Sequence, residues 1–147
     1  MTLCLVQEGD KLLLGMKKRG LGSGRWNGFG GKVHEGETIE EAAKRETFEE
    51  AGIEIKNMER VGNMDFLWEG RKDIFGVSVF KVLEYSGFPK ETEEMKPQWF
   101  SISEIPYENM WPDDKYWIPL FLQGKKFDGR CLFDEKDNIL DYNFKEI

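Results

Sequence analysis

The sequence predicts an α+β domain in which a mixed β-sheet lies between helices. Three observations carry this. Strand-like and helix-like runs are intermixed along the chain. One segment, Ile39–Ala51, carries both a start and a stop signal for a helix. Finally, 147 residues that are 39% hydrophobic and 14% aromatic supply one core, with no repeat or linker to divide it. Residues 1–147 therefore read as a single domain.

The elements follow in order. Thr2–Gln7 predicts a strand that turns at Glu8-Gly9-Asp10 into a second around Leu12–Met16. A glycine-rich stretch holds Gly20, Gly22, Gly24, Gly28, Gly30 and Gly31. The helix Ile39–Ala51 follows, with Thr38 as N-cap, Glu41 as capping-box partner and Gly52 as stop. Strands are expected over Ile53–Trp68 and Asp73–Leu83, joined at Glu69-Gly70. A loop around Gly87–Glu94 leads to a short strand, Gln98–Phe100. A second helix near Asp114–Gln123 ends at Gly124, and a hairpin of Lys126–Phe133 and Ile139–Phe144 turns at Asp137-Asn138.

Composition excludes several function classes. The net charge of −7 is unsuited to a nucleic-acid polymer, which needs a basic stripe. The longest apolar runs are too short to span a bilayer, and neither a secretory nor a mitochondrial leader is readable. Cys4 and Cys131 have no metal-ligand spacing and make no disulfide framework, which points to a reducing, cytoplasmic setting. The segment Asp134–Asp137 lacks calcium-loop spacing and reads as a hairpin turn.

The helix carries its acids in an unusual place. At about 100° per residue, Glu46 and Glu50 share a face with Ile39, Ala42 and Ala43, and Glu49 lies nearby. Phe48 stands on the opposite side, which argues against a merely solvated acidic helix. Like charges one turn apart repel, and burial raises the cost. A hard cation taking several carboxylate oxygens relieves this; so does Arg45, placed one turn before Glu49. The glycines upstream would let backbone N–H groups approach phosphate oxygens. Gly31-Lys32-Val33 is not a Walker A loop, and His34 is the chain's single histidine, so zinc of the usual type is hard to house. Oxygen ligands alone point to Mg²⁺, with Mn²⁺ as a substitute.

The spacing Gly31-x5-Glu37-x7-Arg45-Glu46-x-x-Glu49-Glu50-x-Gly52-Ile53 resembles the signature of the Nudix hydrolases. That resemblance implies an α/β/α sandwich with a mixed sheet, and an enzyme cleaving a phosphoanhydride bond in a nucleotide. It makes Glu46, Glu49 and Glu50 the Mg²⁺ ligands and catalytic acids, with Gly30 and Glu94 completing the metal site. Arg45 would orient a glutamate, and Glu37 would support the loop–helix junction. Thr47 departs from the pattern, which carries a bulkier hydrophobic residue there, and is expected to affect packing.

The similarity extends through Leu12–Gly20, Gly24–Val33, Met95–Phe100 apart from Gln98, Met110–Trp117 and Ile139–Ile147. These segments resemble the branch of the family that hydrolyses oxidised purine nucleoside triphosphates to the monophosphate and pyrophosphate. By that resemblance Asn27 would bond one purine edge, Asp113 and Asp114 the other, and Trp111 would stack on the ring. Thr2, Lys17, Phe66 and Trp117 would complete the pocket. Taken alone, Asp113 and Asp114 would cap the following helix, Trp111 and Trp117 would be core aromatics, and Asn27-Gly28 a turn. Leu21 and Phe75 stand where this branch has an aromatic and a methionine, bearing on the ranking of purines. Thr2 lies near the chain start, where termini fray. The expected partner is a small nucleoside triphosphate met by a monomer in the cytoplasm, with nuclear and mitochondrial pools left open. Two other readings differ in prediction. The base-pocket tryptophan and aspartates count against a Nudix enzyme for ADP-ribose, a dinucleotide or a dinucleoside polyphosphate, and a non-catalytic nucleotide sensor would release no pyrophosphate.

Overall fold

The computed structural model describes residues 1–147. Its strands are β1 (Thr2–Glu8), β2 (Lys11–Lys17), β3 (Trp26–Asn27), β4 (Glu54–Trp68), β5 (Ile74–Ser86), β6 (Met95–Ser101), β7 (Phe127–Phe133) and β8 (Ile139–Glu146). The helices are α1 (Ile39–Ala51) and α2 (Asp114–Leu122). The sheet runs β3-β2-β1-β5-β4-β7-β8, with β6 also on β2. It is mixed: β1–β5 and β4–β7 are parallel, and the other pairs antiparallel.

Alternation along the strands divides the core between the two faces. Leu5, Leu12, Leu14 and Val79 pack with Trp117, Ile118 and Phe121 of α2. Their strand neighbours Cys4, Val6, Leu13 and Phe80 pack with Ala43 and Ala51 of α1. Helix, sheet and helix therefore stack in three layers, as the α+β reading expects.

Local chemistry places α1. Thr38 Oγ1 accepts the Glu41 N–H at 3.0 Å, and Glu41 Oε1 accepts the Thr38 N–H at 2.9 Å. Gly52 takes φ 73° and donates its N–H to the Phe48 carbonyl, closing the helix. The buried stripe is Ala42, Ala43, Thr47, Glu50 and Ala51. Phe48 does not serve the core; it lies on the solvent side, 57% exposed.

Thr47 is fully buried, and its Oγ1 finds no hydrogen-bond partner. Replacing an unpaired buried hydroxyl by a methyl of the same shape removes a desolvation cost of about 1 kcal/mol. Thr47→Val is thus expected to raise Tm by about 3 °C in a domain of this size, with kcat unchanged. A melt paired with a turnover assay checks this, and a lower Tm would mean that the hydroxyl is bonded in solution.

Two sequence expectations are corrected, and three short elements are added. The strand expected at Gln98–Phe100 spans Met95–Ser101, because it pairs with all of β2, from Lys11↔Ser101 to Lys17↔Met95. β3 and two 3₁₀ turns, Ile102–Glu104 and Tyr107–Asn109, were not legible as periodic segments. Thr2 is not frayed: it is buried, its N–H donates to the Gly31 carbonyl at 2.8 Å, and the terminal amine donates to the Gly76 carbonyl at 2.9 Å.

Candidate active site

The loop before α1 lies under β1 and against the acids of the helix. A Cβ on Gly30 would collide with the Thr2 carbonyl, and one on Gly31 would come within 2.6 Å of the Glu46 carboxyl carbon. The backbone contact at Gly30 requires glycine, whereas at Gly31 the Glu46 carboxyl would have to move aside. The N–H groups here are not free for phosphate, contrary to the sequence reading. Gly30 donates to Glu50 Oε1 at 2.8 Å, Gly31 to Thr2 Oγ1 at 3.3 Å and Gly28 to Asn27 Oδ1 at 2.9 Å. The Gly30 and Gly31 bonds strap the loop to α1 and β1, while the Gly28 bond is local.

Arg45 is the organiser of the junction. It donates to both oxygens of Glu37 at 2.7 and 3.0 Å, to Glu46 at 2.8 Å and to the Lys32 carbonyl at 3.1 Å. The Glu49 contact expected from one-turn spacing is the loosest, at 3.4 Å. Arg45, with the His34 N–H, holds the Glu37 carboxyl down at about 2. A forked guanidinium can bind several oxygens at once, so the loop and helix acids outcompete the neighbour on its own helix.

Glu50 stands apart from the other acids. Burial pushes its pKa up to about 7, the Gly30 N–H and Lys17 (Nζ 3.9 Å away) oppose this, and the like charges of Glu46 and Glu94 add to it. A carboxyl so poised is suited to accepting a proton near neutral pH. No three acidic side chains stand close enough to form a finished cation cage. Glu49 is half-exposed beside Arg45, and Glu94 is paired with Arg19. The donor chemistry still fits a hard divalent cation. The donors are all oxygen, one is buried, and two neighbours load it with negative charge that a cation would relieve.

One open cleft is lined by Glu50 together with Trp68, Trp111 and Phe133. It brings together Thr2, Lys17, Asn27, Phe66, Trp111, Asp113, Asp114 and Trp117, together with Gly30 and Gly31. Arg45, Glu46, Glu49 and Glu94 do not line it; they stand outside its α1 end. Leu21 and Phe75 both line the cleft, as the departures suggested.

Asp113 and Asp114 are 2% and 3% exposed. Asp113 occupies the N-cap position of α2, yet its backbone is helical and its side chain makes no capping bond. Its Oδ2 instead accepts the Trp117 Nε1–H at 2.8 Å. Burial raises both carboxyls. Asp114 is raised well above its ordinary range, driven further by the Asp113 charge and by the hydrogen bond between them. Two charges side by side out of water repel, so the buried pair favours its less charged form. Its Oδ2 has no partner within the protein.

Sequence reasoning missed Trp68, Met95 and Phe133, which also line the cleft. Trp68 was within reach, since Met64, Phe66 and Trp68 alternate along β4 and so share a face. Phe133 needed the parallel pairing Trp68↔Phe133.

A three-layer fold with a carboxylate-bearing helix at the mouth of such a cleft defines a nucleotide-hydrolase class, and this chain belongs to the Nudix family. The NUDIX domain model matches residues 1–121. Enzymes of the family generally use divalent metals such as Mg²⁺. Among individual proteins, the chain is 51% identical to the mouse (Mus musculus) oxidized purine nucleoside triphosphate hydrolase over 146 residues, covering 99% of this chain and 94% of the relative. It is 47% identical to the Danio rerio protein of the same name, covering 100% and 94%. The crystal structure of a mutator MutT protein from Bacillus halodurans superposes with a TM-score of 0.86 at 30% identity, covering 98% of this chain and 95% of that one.

Proposed function

We propose that this chain hydrolyses oxidised purine nucleoside triphosphates to the monophosphate and pyrophosphate, removing them from the nucleotide pool. The observation that carries this is one cleft with two chemically distinct ends. At one end two buried carboxyls, Asp113 and Asp114, lie beside the Trp117 indole; at the other lies the buried Glu50, held by the Gly30 N–H. A pair that shares a proton presents a donor or an acceptor as the base requires. It can accordingly take 8-oxo-guanine and oxidised adenine, whose edges differ.

The base would lie against Trp111, with Asn27 on one edge and Asp113 and Asp114 on the other. Phe66, Trp117 and Thr2 close the slot, and Leu21 and Phe75 tune the ranking of purines. Lys17 lies beside Glu50, its Nζ 3.9 Å from Oε2, where its charge can meet a phosphate oxygen. Glu46, Glu49, Glu50, Glu94 and Gly30 would hold Mg²⁺ or Mn²⁺, with Glu49 and Glu94 exchanging their arginine partners for the ion. Bound there, the ion would screen the phosphates and lower the pKa of a water. Glu50 takes the proton of the attacking water. The new bond forms at the β-phosphorus, and the bond from that phosphorus to the α–β bridging oxygen breaks, so the monophosphate departs with that oxygen.

We read residues 1–147 as one domain acting as a monomer in the reducing cytoplasm. The acidic charge favours a small nucleotide over a polymer. Both cysteines are free and buried, and no helix is long and apolar enough to cross a membrane.

The test is kcat/KM for 8-oxo-dGTP against dGTP with Mg²⁺, with products separated by chromatography. The expected result is a strong preference for 8-oxo-dGTP, with 8-oxo-dGMP and pyrophosphate formed and turnover abolished by a chelator. Equal turnover of both would retain a hydrolase but remove the oxidised-purine reading.

A further inference from the structure

The β7–β8 turn, legible in sequence as a plain hairpin tip, reaches the base end of the cleft. Asp134 builds this tip. Its Oδ1 accepts the N–H groups of Lys136 and Asn138 at 2.8 and 2.9 Å, and its own N–H donates to the Asn138 carbonyl at 2.8 Å. Asp137 is left at φ 63°, a left-handed conformation that Asp and Asn tolerate better than other side chains. Its carboxylate takes no part in holding the turn. Oδ1 accepts the Trp68 Nε1–H at 2.8 Å, and Oδ2 lies 3.6 Å from Arg25 Nη1.

Those two partners lead to the purine slot. Arg25 Cζ sits 4.4 Å from the centroid of the Trp111 ring, over its face. Trp68 meets Trp111 edge to face with centroids 6.2 Å apart, and meets Phe75 in the same way at 5.3 Å. One carboxylate thus bonds the end of β4 and the glycine-rich loop, and through Arg25 bears on Trp111. A side-chain N–H donated to a carboxylate is stronger than a neutral pair. The Arg25–Asp137 pair is partly exposed and contributes little stability by itself. Its effect is geometric: it fixes the guanidinium where the cation–π contact with Trp111 forms.

We propose that Asp137 is a positioning residue for the base slot, holding Trp68 and Arg25, and through Arg25 the Trp111 ring, in place before the nucleotide arrives. The ligand in this inference rests on the oxidised-purine reading above. A preformed slot spares the ordering cost of its side chains at binding, so losing Asp137 weakens nucleotide binding more than it slows the chemistry.

The test uses two variants of the whole chain. Asp137→Gly suits the left-handed backbone and removes both contacts. Asp137→Asn keeps an acceptor for Trp68 and drops the charge facing Arg25. Expected for Asp137→Gly is a KM for 8-oxo-dGTP raised about tenfold, with kcat changed less than about threefold. Asp137→Asn should lie within about threefold of wild type in KM. In the nucleotide-free protein, the Trp68 indole N–H, followed by ¹⁵N NMR, should exchange with solvent faster in Asp137→Gly and stay protected in Asp137→Asn. A wild-type KM or an unchanged Trp68 exchange rate in Asp137→Gly would overturn the proposal. Should that variant not fold, Arg25→Met removes the cation over Trp111 without touching the turn. It should raise KM about threefold, and a wild-type KM there overturns the proposal as well. If the wild type turns over 8-oxo-dGTP and dGTP equally, the oxidised-purine reading fails, while Trp68 exchange still decides the role of Asp137.

Discussion

Glu50→Gln is expected to lower kcat by about 10²-fold or more. The amide has nearly the shape of the carboxyl, and its oxygen can still accept the Gly30 N–H that binds Glu50 Oε1 at 2.8 Å. It can neither take the proton of the attacking water nor bring a full negative charge to a cation. The fold should not suffer. Burial already opposes the Glu50 charge, and Glu46 and Glu94 oppose it further, so a neutral side chain removes a repulsion. The measurement is steady-state kinetics with 8-oxo-dGTP beside a thermal melt. Wild-type turnover from a variant of wild-type Tm would remove Glu50 from the mechanism.

Asp114→Asn should act on both substrate choice and the pH dependence of stability. The variant keeps an N–H to donate to Asp113 but can no longer trade a proton with the base. A substrate edge that needs the other pattern then leaves a buried polar group unpaired, which costs on the order of 1–3 kcal/mol, or roughly 10- to 100-fold in kcat/KM. The expected result is a shift of about tenfold or more in the ratio between 8-oxo-dGTP and 2-hydroxy-dATP. An unchanged ratio would show that the pair does not switch.

For stability, the sign follows from proton counting. Burial, and then the Asp113 charge, raise Asp114 above its ordinary range in the folded chain, so the native state keeps a proton that the unfolded chain releases. That contribution is complete below the unfolded pKa of about 4 and is lost as pH rises through the raised folded value. Removing the titration should flatten the curve. Wild-type Tm should fall relative to Asp114→Asn as pH rises from about 5 to 8, with roughly 3 °C for each kcal/mol relieved, and the two should differ least in acid. Melts over that range check it, and parallel curves would mean that Asp114 is not held protonated.

Much of the fold was legible from the chain because its signals are local. Thr38, Glu41 and Gly52 act on backbone groups within one helical turn, so α1 follows from residue types at fixed short offsets. The long strands β4 and β5 were visible from their β-branched and aromatic content and the Glu69-Gly70 turn. Strand ends were less so. β6 begins at Met95 because β2 offers a partner there, a fact that no residue within β6 announces.

The candidate site divides along the same line. The acids of α1 lie on one helix, and their spacing alone raised the question of a cation. Which of them Arg45 would choose was not local. Glu37, eight residues earlier, is its strongest partner because the loop folds back against the helix. Of the loop glycines read as a phosphate cradle, Gly30 and Gly31 pack closely on Thr2 and Glu46, and their N–H groups are taken by Glu50 and Thr2. The Asp113-Asp114 pair would pass for a helix cap in any sequence; only its burial beside Trp117 separates it from one.

By itself, then, the sequence determined the order of the longer strands and the two α-helices, the boundaries of α1 and the identity of the charged side chains on its face. Backbone propensity, capping and helical periodicity act over a few residues and need no knowledge of distant partners. Tertiary structure decided which carboxyls lose water, which arginine meets which acid, and which rings from β4, β7 and the Trp111 segment wall one cleft. Those outcomes depend on desolvation and on contacts between residues far apart in the chain, which exist only once the sheet has brought them together.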